Sequence, residues 1–325
     1  MTPPTLLGVP NVSEGRDAGV IAALAKAFTG ASASGGAQAA KRDERDRAAV
    51  DEVRLLDVHS DPDHHRSVFT LAAGPRALSD AILRGAREAV RRIDVMATRG
   101  PRGQHPHVGA IDVVPIVYLQ SAQRGAACAE ALVVADRIGS ELELPVFLYG
   151  ELAGGRTRAE LRRGGVHGLA ERMACAVASD ARARPSDGLR PDFGPERLHQ
   201  SAGAALVAAR EPLVAFNVKL AAPATLHDAQ AIAGRIREGA EQGLPGVRAI
   251  GIALGDGHAQ VSTNVERPLE VPLAAVLQAV ARHAPVVGAE LVGLAPSSAL
   301  EGFPQDVELE GFDPARHVIE NALGS

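Results

Sequence analysis

Apolar residues at strand and helix spacings divide the chain into short elements, and the pattern is clearest in its second half. Residues 213–220 and 285–294 are predicted strands. Between them the pattern predicts a helix beginning at Thr225, two strands joined at Asp256-Gly257, and a second helix. Asp-Gly between two apolar runs is typical of a hairpin turn. The order β-α-β-β-α-β predicts a ferredoxin-like subdomain.

The first half repeats this order and adds one more helix and strand, so the sequence predicts an α/β (α+β) chain of two related subdomains. We expect the N-terminal subdomain to span residues 1–187 and the C-terminal subdomain residues 188–325. Within the first, residues 32–52 are small and charged and are predicted to form a surface insertion. The segment 179–195 is rich in Pro, Gly and charge, which is typical of a linker, and a ligand cleft is expected between the lobes.

The amino-acid composition argues against nucleic-acid and membrane partners. Hydrophobic residues make up 46% of the 325 residues and tryptophan is absent, so the core must consist mainly of Val, Leu, Ile and Ala. The net charge of −5 gives no overall basic field for nucleic acid, and no apolar run has membrane-spanning length. Cys128 and Cys175 form no CxxC pattern, and no signal peptide is evident. A cytoplasmic protein without nucleic-acid or membrane partners is expected.

The stretch "QHPHVGAID" contains the first candidate for chemistry, His105. Pro106 restricts the backbone of His105, and an imidazole is the natural group for moving a proton at neutral pH. Asp112, at the start of the following strand, is predicted to orient His105 or to bind a substrate nitrogen. Spacing alone leaves an ordinary exposed loop histidine equally open.

The stretch "DVHSDPDHHRSV", residues 57–68, is the densest titratable cluster. Carboxylates and imidazoles together suit a transition metal, so one hypothesis is a metal-dependent hydrolase. Its ligands would be His59, Asp61, Asp63, His64, His105 and His107. The alternative is a polar turn between two strands, in which Asp and Ser shape the backbone.

Polar residues also recur on predicted strands, at Asn11, Asn217 and Asn264, which suggests a wet cavity between the sheets. These three are candidates for substrate binding. Arg66 is a further candidate, because a guanidinium binds a carboxylate through two parallel hydrogen bonds.

Seven stretches, in this order along the chain, together resemble the formiminotransferase family: "VPNVSEGRD", "LLDVHSDPDHHRSVFTLAAG", "HPHVGAIDVVPIV", "LPVFLYGE", "RPDFGP", "AFNVKL" and "QVSTNVE". The resemblance extends from Val9 to about Leu294. It implies glutamate formimidoyltransferase activity, which is transfer of a formimidoyl group from N-formimidoyl-L-glutamate to N5 of tetrahydrofolate in histidine degradation. It also implies two ferredoxin-like subdomains with a ligand tunnel between them, a homodimer, and small-molecule substrates.

His105 occupies the position of the family's catalytic histidine. Tetrahydrofolate is implied as co-substrate, with no metal expected. The folate-contacting loop is implied to run from Gly194 to Gly203. Its residues are Gly194, Pro195, Glu196, Arg197, Leu198, His199, Gln200, Ser201, Ala202 and Gly203.

The chain departs from the family pattern at four positions, which are Gln104, His107, His65 and His59. These changes leave the formimidoyl or formyl donor open. A non-catalytic folate-binding protein on the same scaffold is the second hypothesis beside the transferase, and the metal-dependent hydrolase is the third.

Overall fold

A computed structural model describes residues 4–30, 52–97, 106–178 and 188–324. The chain forms two compact units, Met1–Arg210 and Glu211–Ser325. Most of the predicted insertion at residues 32–52, and residues 179–187 of the predicted linker, fall outside the described ranges. No helix in those ranges is long and apolar enough to cross a membrane.

The sheet of the first unit contains seven strands among the described residues. In chain order they are β1 Leu6–Gly8, β2 Asn11–Val12, β3 Arg54–Asp61, β4 Arg66–Ala73, β5 Ile111–Val117, β6 Val146–Leu148 and β7 Ala205–Arg210. β1 and β2 both lie between β4 and β5, so they act as one strand interrupted at Val9–Pro10. β3 pairs with β4, and β7 extends the sheet from β5 to β6 through parallel pairings.

Helices cover both faces of this sheet. They are α1 Ala18–Thr29, α2 Ala77–Arg92, α3 Arg124–Glu141, α4 Arg158–Leu161 and α5 Gly165–Ala178. α1, α2 and α3 supply Leu24, Ile82 and Val134 to the larger core. Leu161 of α4 and Leu169 of α5 pack with Phe147 in a second core. Along β7, Leu206 and Ala208 belong to the second core and Ala205, Val207 and Ala209 to the first, as strand alternation requires.

The second unit has a five-stranded sheet among its described residues. Its strands are β8 Val214–Leu220, β9 Val247–Ala253, β10 Ala259–Val265, β11 Val286–Val292 and β12 Leu309–Glu310. Its helices are α6 Leu226–Ile236, α7 Leu273–Ala281, α8 Pro314–His317 and α9 Ile319–Gly324. Thr225 caps α6 by accepting from the N–H of Asp228, as its position before the helical pattern predicted.

Both units share one order of elements. The second sheet runs β11-β8-β10-β9, and the first runs β5-β1/β2-β4-β3 over its corresponding strands, each with the predicted β-α-β-β-α-β order. The predicted mixed α/β chain with two subdomains is therefore confirmed, and the closer ferredoxin-like assignment stays a prediction. β7 belongs to the first sheet, so the first unit extends to Arg210, beyond the boundary expected at residue 187.

Candidate functional site

Asp112 lies at the centre of a buried polar cluster in the first unit, and its position depends on an irregularity in β5. Asn11 pairs with Val113 and Val12 pairs with Ile111, so Asp112 is skipped in the register between the two strands. Such a bulge turns a side chain away from the regular alternation of the strand. The Asp112 side chain is completely buried.

Three donors surround the Asp112 carboxylate. Oδ1 accepts from the backbone N–H of Val108 at 2.8 Å, and Oδ2 accepts from Arg66 Nη1 at 3.1 Å and from Arg162 Nη2. Burial alone raises the pKa of Asp112, but the charges of Arg162 and Arg66 and the Val108 hydrogen bond outweigh it and lower that pKa. Asp112 is therefore an anion at neutral pH.

Arg66 joins Asp112 to Asn11. Its Nε and Nη2 donate to Asn11 Oδ1 at 2.8 and 2.6 Å, and Asn11 Nδ2 donates to the Val9 carbonyl at 2.7 Å. Burial, followed by repulsion from Arg162, lowers the pKa of Arg66 to about 9, while Asp112 opposes the shift. Arg66 thus contacts both Asn11 and Asp112, and all three residues were singled out in the sequence. Arg66 hydrogen-bonds within the protein, and its predicted role as a substrate clamp stays a prediction.

The segment after His105 is fixed to its surroundings by backbone hydrogen bonds. His105 itself, and Gln104, lie outside the described residues. The Val108 carbonyl accepts from Ala204 N at 2.9 Å, and the Gly109 carbonyl accepts from Ser13 Oγ at 2.8 Å. A Cβ on Gly109 would lie 1.7 Å from the Ala204 carbonyl oxygen, so only glycine allows this approach.

The predicted folate loop meets this segment at its buried end. Gly203 forms a β-bridge with Gly109, and Ala202 accepts from Ala110 N at 2.9 Å. His199 shapes the turn, because its Nδ1 accepts from the N–H groups of Ser201 and Ala202 at 3.3 and 3.0 Å.

The rest of the loop is more accessible. Ala202 and Gly203 are buried, and Pro195, Leu198, His199 and Ser201 are half-buried. The exposed residues are Gly194, Glu196, Arg197 and Gln200. The structure thus joins the loop directly to the segment that follows His105.

The two remaining candidates lie in the second unit. Asn217 is buried on β8 and donates through Nδ2 to Glu290 Oε2 at 2.8 Å. It is opposite Ser262, and Asn264 is two residues further along β10, so the predicted polar residues share one face of this sheet.

The histidine-rich stretch forms a turn between β3 and β4. Asp61 Oδ1 accepts from the N–H groups of Asp63 and His64 at 2.8 and 2.9 Å, and its Oδ2 contacts His64 Nδ1. His65 Nδ1 accepts from the N–H of Gly15 at 3.2 Å. In the described part of the chain no group of three or more His, Cys, Asp or Glu side chains is placed to hold a metal ion. The geometry favours the polar-turn interpretation of these residues.

Sequence reasoning missed Tyr149, Arg158 and Arg162. Arg162 immediately follows α4, is 8% exposed and contacts Asp112 from 50 residues away along the chain. A local signal for α4 was present, since Thr157 and Glu160 form a capping box around its first turn. No local pattern linked this turn to Asp112.

Comparison with known proteins shows which family the chain belongs to. The family model described as the formiminotransferase domain, N-terminal subdomain, matches residues 5–210, and that of the formiminotransferase domain matches residues 215–303. Glutamate formimidoyltransferase of Streptococcus pyogenes serotype M1 is 33% identical over 97% of both chains, and that of Thermoplasma acidophilum is 32% identical over 97% of this chain and 96% of its own. Formimidoyltransferase-cyclodeaminase of Sus scrofa is 34% identical over 90% of this chain and 50% of its own. The chain belongs to the formiminotransferase family.

Proposed function

We propose that this protein transfers a formimidoyl group from N-formimidoyl-L-glutamate to N5 of tetrahydrofolate, producing 5-formimidoyltetrahydrofolate and glutamate. The observation that carries the proposal is the match over nearly the whole chain to relatives named glutamate formimidoyltransferase. The residues linked around Asp112 and the loop 194–203 support it, because they place polar groups and a buried charge beside the segment that follows His105.

The reaction needs a proton acceptor and a proton donor. N5 of the folate attacks the amidine carbon and loses a proton, and the departing glutamate nitrogen gains one as its bond to that carbon breaks. One imidazole can perform both transfers if it lies within hydrogen-bond reach of both nitrogens. We assign that role to His105. Three residues later, the N–H of Val108 is held by Asp112 and its carbonyl by Ala204, which anchors the segment.

Asp112 acts in this scheme as a positioning residue. Its two carboxylate oxygens accept from Val108, Arg66 and Arg162, so it fixes both the backbone after His105 and two guanidinium groups. The sequence predicted that Asp112 orients His105 or binds a substrate nitrogen, and in this scheme it acts through the backbone that follows His105.

Tetrahydrofolate is proposed to bind along the loop Gly194–Gly203. The buried end of this loop contacts Gly109 and Ala110, so a pterin held there would approach the segment containing His105. Asn217 and Asn264 are proposed as further polar contacts for substrate. Proton transfer and positioning account for this chemistry, so no metal is included. We also propose a cytoplasmic homodimer that acts on small molecules, without nucleic-acid or membrane partners.

Formation of 5-formimidoyltetrahydrofolate by the purified protein tests the proposal. N-formimidoyl-L-glutamate and tetrahydrofolate are supplied in the presence of EDTA, and His105→Ala is compared with His227→Ala, which alters an exposed histidine of the second unit. Turnover that falls about 10²–10⁴-fold in His105→Ala alone supports the shuttle. Wild-type protein that binds tetrahydrofolate without turnover contradicts the transferase assignment, and equal turnover in both variants contradicts the role of His105.

A further inference from the structure

Among the described residues, two guanidinium groups share the single carboxylate of Asp112. Arg66 and Arg162 both donate to Oδ2 of this one carboxylate. Arg158 lies four residues before Arg162, on the same side of the α4 turn, where side chains at this spacing are neighbours. Two guanidiniums on one carboxylate favour an additional anion at this place.

Two polar groups beside this charge have no hydrogen-bond partner among the described residues. They are Arg162 Nε and the Tyr149 hydroxyl, and their residues are 8% and 5% exposed. The Arg158 guanidinium carbon is 5.8 Å from the Tyr149 ring centroid, so Tyr149 lies beside Arg158, one helical turn from Arg162. Because a buried donor without an acceptor is destabilising, two of them in one small region call for an explanation, and a ligand supplies one.

We propose that Tyr149, Arg158 and Arg162 form a subsite for a glutamyl carboxylate. The inference rests on the proposed function, in which a glutamyl group arrives with the formimidoyl donor. A guanidinium presents parallel N–H donors that match the two oxygens of a carboxylate, and a phenolic hydroxyl adds a third donor. Asp112 already holds Nη2 of Arg162, which leaves Nε of the same guanidinium to donate to a ligand.

The second source of the same chemistry is the glutamate tail of tetrahydrofolate. Separate Michaelis constants for the donor and for tetrahydrofolate distinguish the two sources. Binding of L-glutamate alone tests the subsite without any turnover, and the increase in the thermal midpoint of the protein measures that binding.

The informative variants are Arg158→Gln and Tyr149→Phe, because neither removes a partner of Asp112. Arg163→Gln is the matched control, since Arg163 is exposed and adjacent in sequence to Arg162. We expect Arg158→Gln to raise the KM of one glutamyl substrate about 10-fold or more, as loss of a charged hydrogen bond does, and Tyr149→Phe to raise it about 3–10-fold. Arg163→Gln should change the KM of the same substrate by no more than about twofold. Tyr149→Phe should not lower the thermal midpoint, because the hydroxyl that it removes has no hydrogen-bond partner among the described residues.

A rise in the donor KM assigns the subsite to the donor, and a rise confined to tetrahydrofolate assigns it to the folate tail. Both results support the glutamyl subsite. If the wild-type protein shows no turnover, but L-glutamate raises its thermal midpoint and Arg158→Gln abolishes that shift, the subsite stands and the proposed reaction fails. Unchanged Michaelis constants for both substrates in both variants, or an effect of Arg163→Gln as large as that of Arg158→Gln, would overturn the subsite.

Discussion

Replacing Asp112 by Asn tests whether the buried carboxylate holds the cluster together. The substitution keeps the size of the side chain and keeps an Oδ1 able to accept from Val108 N, the 2.8 Å bond of the native residue. It removes the negative charge that faces Arg66 and Arg162 at Oδ2 and introduces an N–H group there. Two buried guanidiniums then lose their shared counter-charge.

The expected loss follows from this geometry. Removing one partner of a buried ion pair costs about 3–5 kcal/mol, because the remaining charge stays desolvated. Since the Val108 hydrogen bond is retained, we expect the lower end, about 3 kcal/mol in the free energy of unfolding. For a unit of this size that corresponds to a fall of about 6–12 °C in the thermal midpoint.

Tyrosine fluorescence suits the measurement. The chain has no tryptophan and two tyrosines, Tyr118 and Tyr149, and both belong to the first unit. Their signal therefore reports the unfolding of the unit that contains Asp112. Asp80→Asn is the matched control, because the Asp80 carboxylate is 47% exposed and pairs with Arg137 at 2.6 Å. An exposed pair contributes at most about 1 kcal/mol.

The pH dependence gives a second reading of the same interaction. The pKa of Asp112 in the folded protein is lowered below its unfolded value. The ionised carboxylate therefore contributes fully to the free energy of unfolding above the unfolded pKa near ~3.9, and this contribution is lost as the pH falls through the folded pKa. The difference in the free energy of unfolding between the wild type and Asp112→Asn should therefore be constant near neutral pH and become smaller in acid. A loss at neutral pH no larger than that of Asp80→Asn would refute the reasoning.

Three further predictions concern residues around this site. Glu130→Ala should destabilise the first unit by about 2–3 kcal/mol in denaturant titrations, because Glu130 is buried and accepts from the N–H groups of Arg76 and Ser79 at the start of α2. The exposed Glu141→Ala should cost below about 1 kcal/mol, and equal losses would contradict the capping role. Burial lowers the pKa of His65, so the free energy of unfolding of the wild type should decrease as the pH falls below ~6.5. His65→Asn tolerates the positive φ of 51° at this position and should make the free energy of unfolding depend less on pH in this range. An unchanged pH dependence would contradict the prediction. His199→Ala should raise the KM of tetrahydrofolate about 3–10-fold with the donor KM unchanged, because the turn at 199–203 loses its two hydrogen bonds to Nδ1. Steady-state kinetics with each substrate varied in turn measure both constants. A raised donor KM with an unchanged KM for tetrahydrofolate would show that the loop binds the donor.

Local sequence signals predicted most of the elements in both units. The strand predicted at residues 213–220 is β8, Val214–Leu220, and the helix predicted from Thr225 begins at Leu226 with Thr225 as its cap. The Asp256-Gly257 turn is present, with Gly257 at a φ of 90°. These features depend on residues within one turn or one hairpin, so a short window of sequence contains the information that determines them.

Local sequence signals predicted only part of the candidate site. Polar residues in strands identified Asn11 and Asp112, and the resemblance identified the loop 194–203. The contact of Arg162 with Asp112 joins residues 50 apart through a four-residue helix without an amphipathic pattern of its own. The bulge that turns Asp112 into the cluster appears only in the register between β2 and β5. Both features arise from tertiary packing, for which the sequence has no periodic signature.

The buried charges themselves argue that this region is kept for function. An apolar side chain of similar size in place of each member of a buried ion cluster is often neutral or stabilising, so stability alone does not explain Arg66, Asp112 and Arg162. Nor does it explain a Tyr149 hydroxyl buried without a partner among the described residues. Departures from the rules that stabilise a core concentrate where a protein binds or transforms a ligand. Here they occur at one bulge of β5 and the turn of α4, beside the backbone that follows His105 and the loop proposed for tetrahydrofolate.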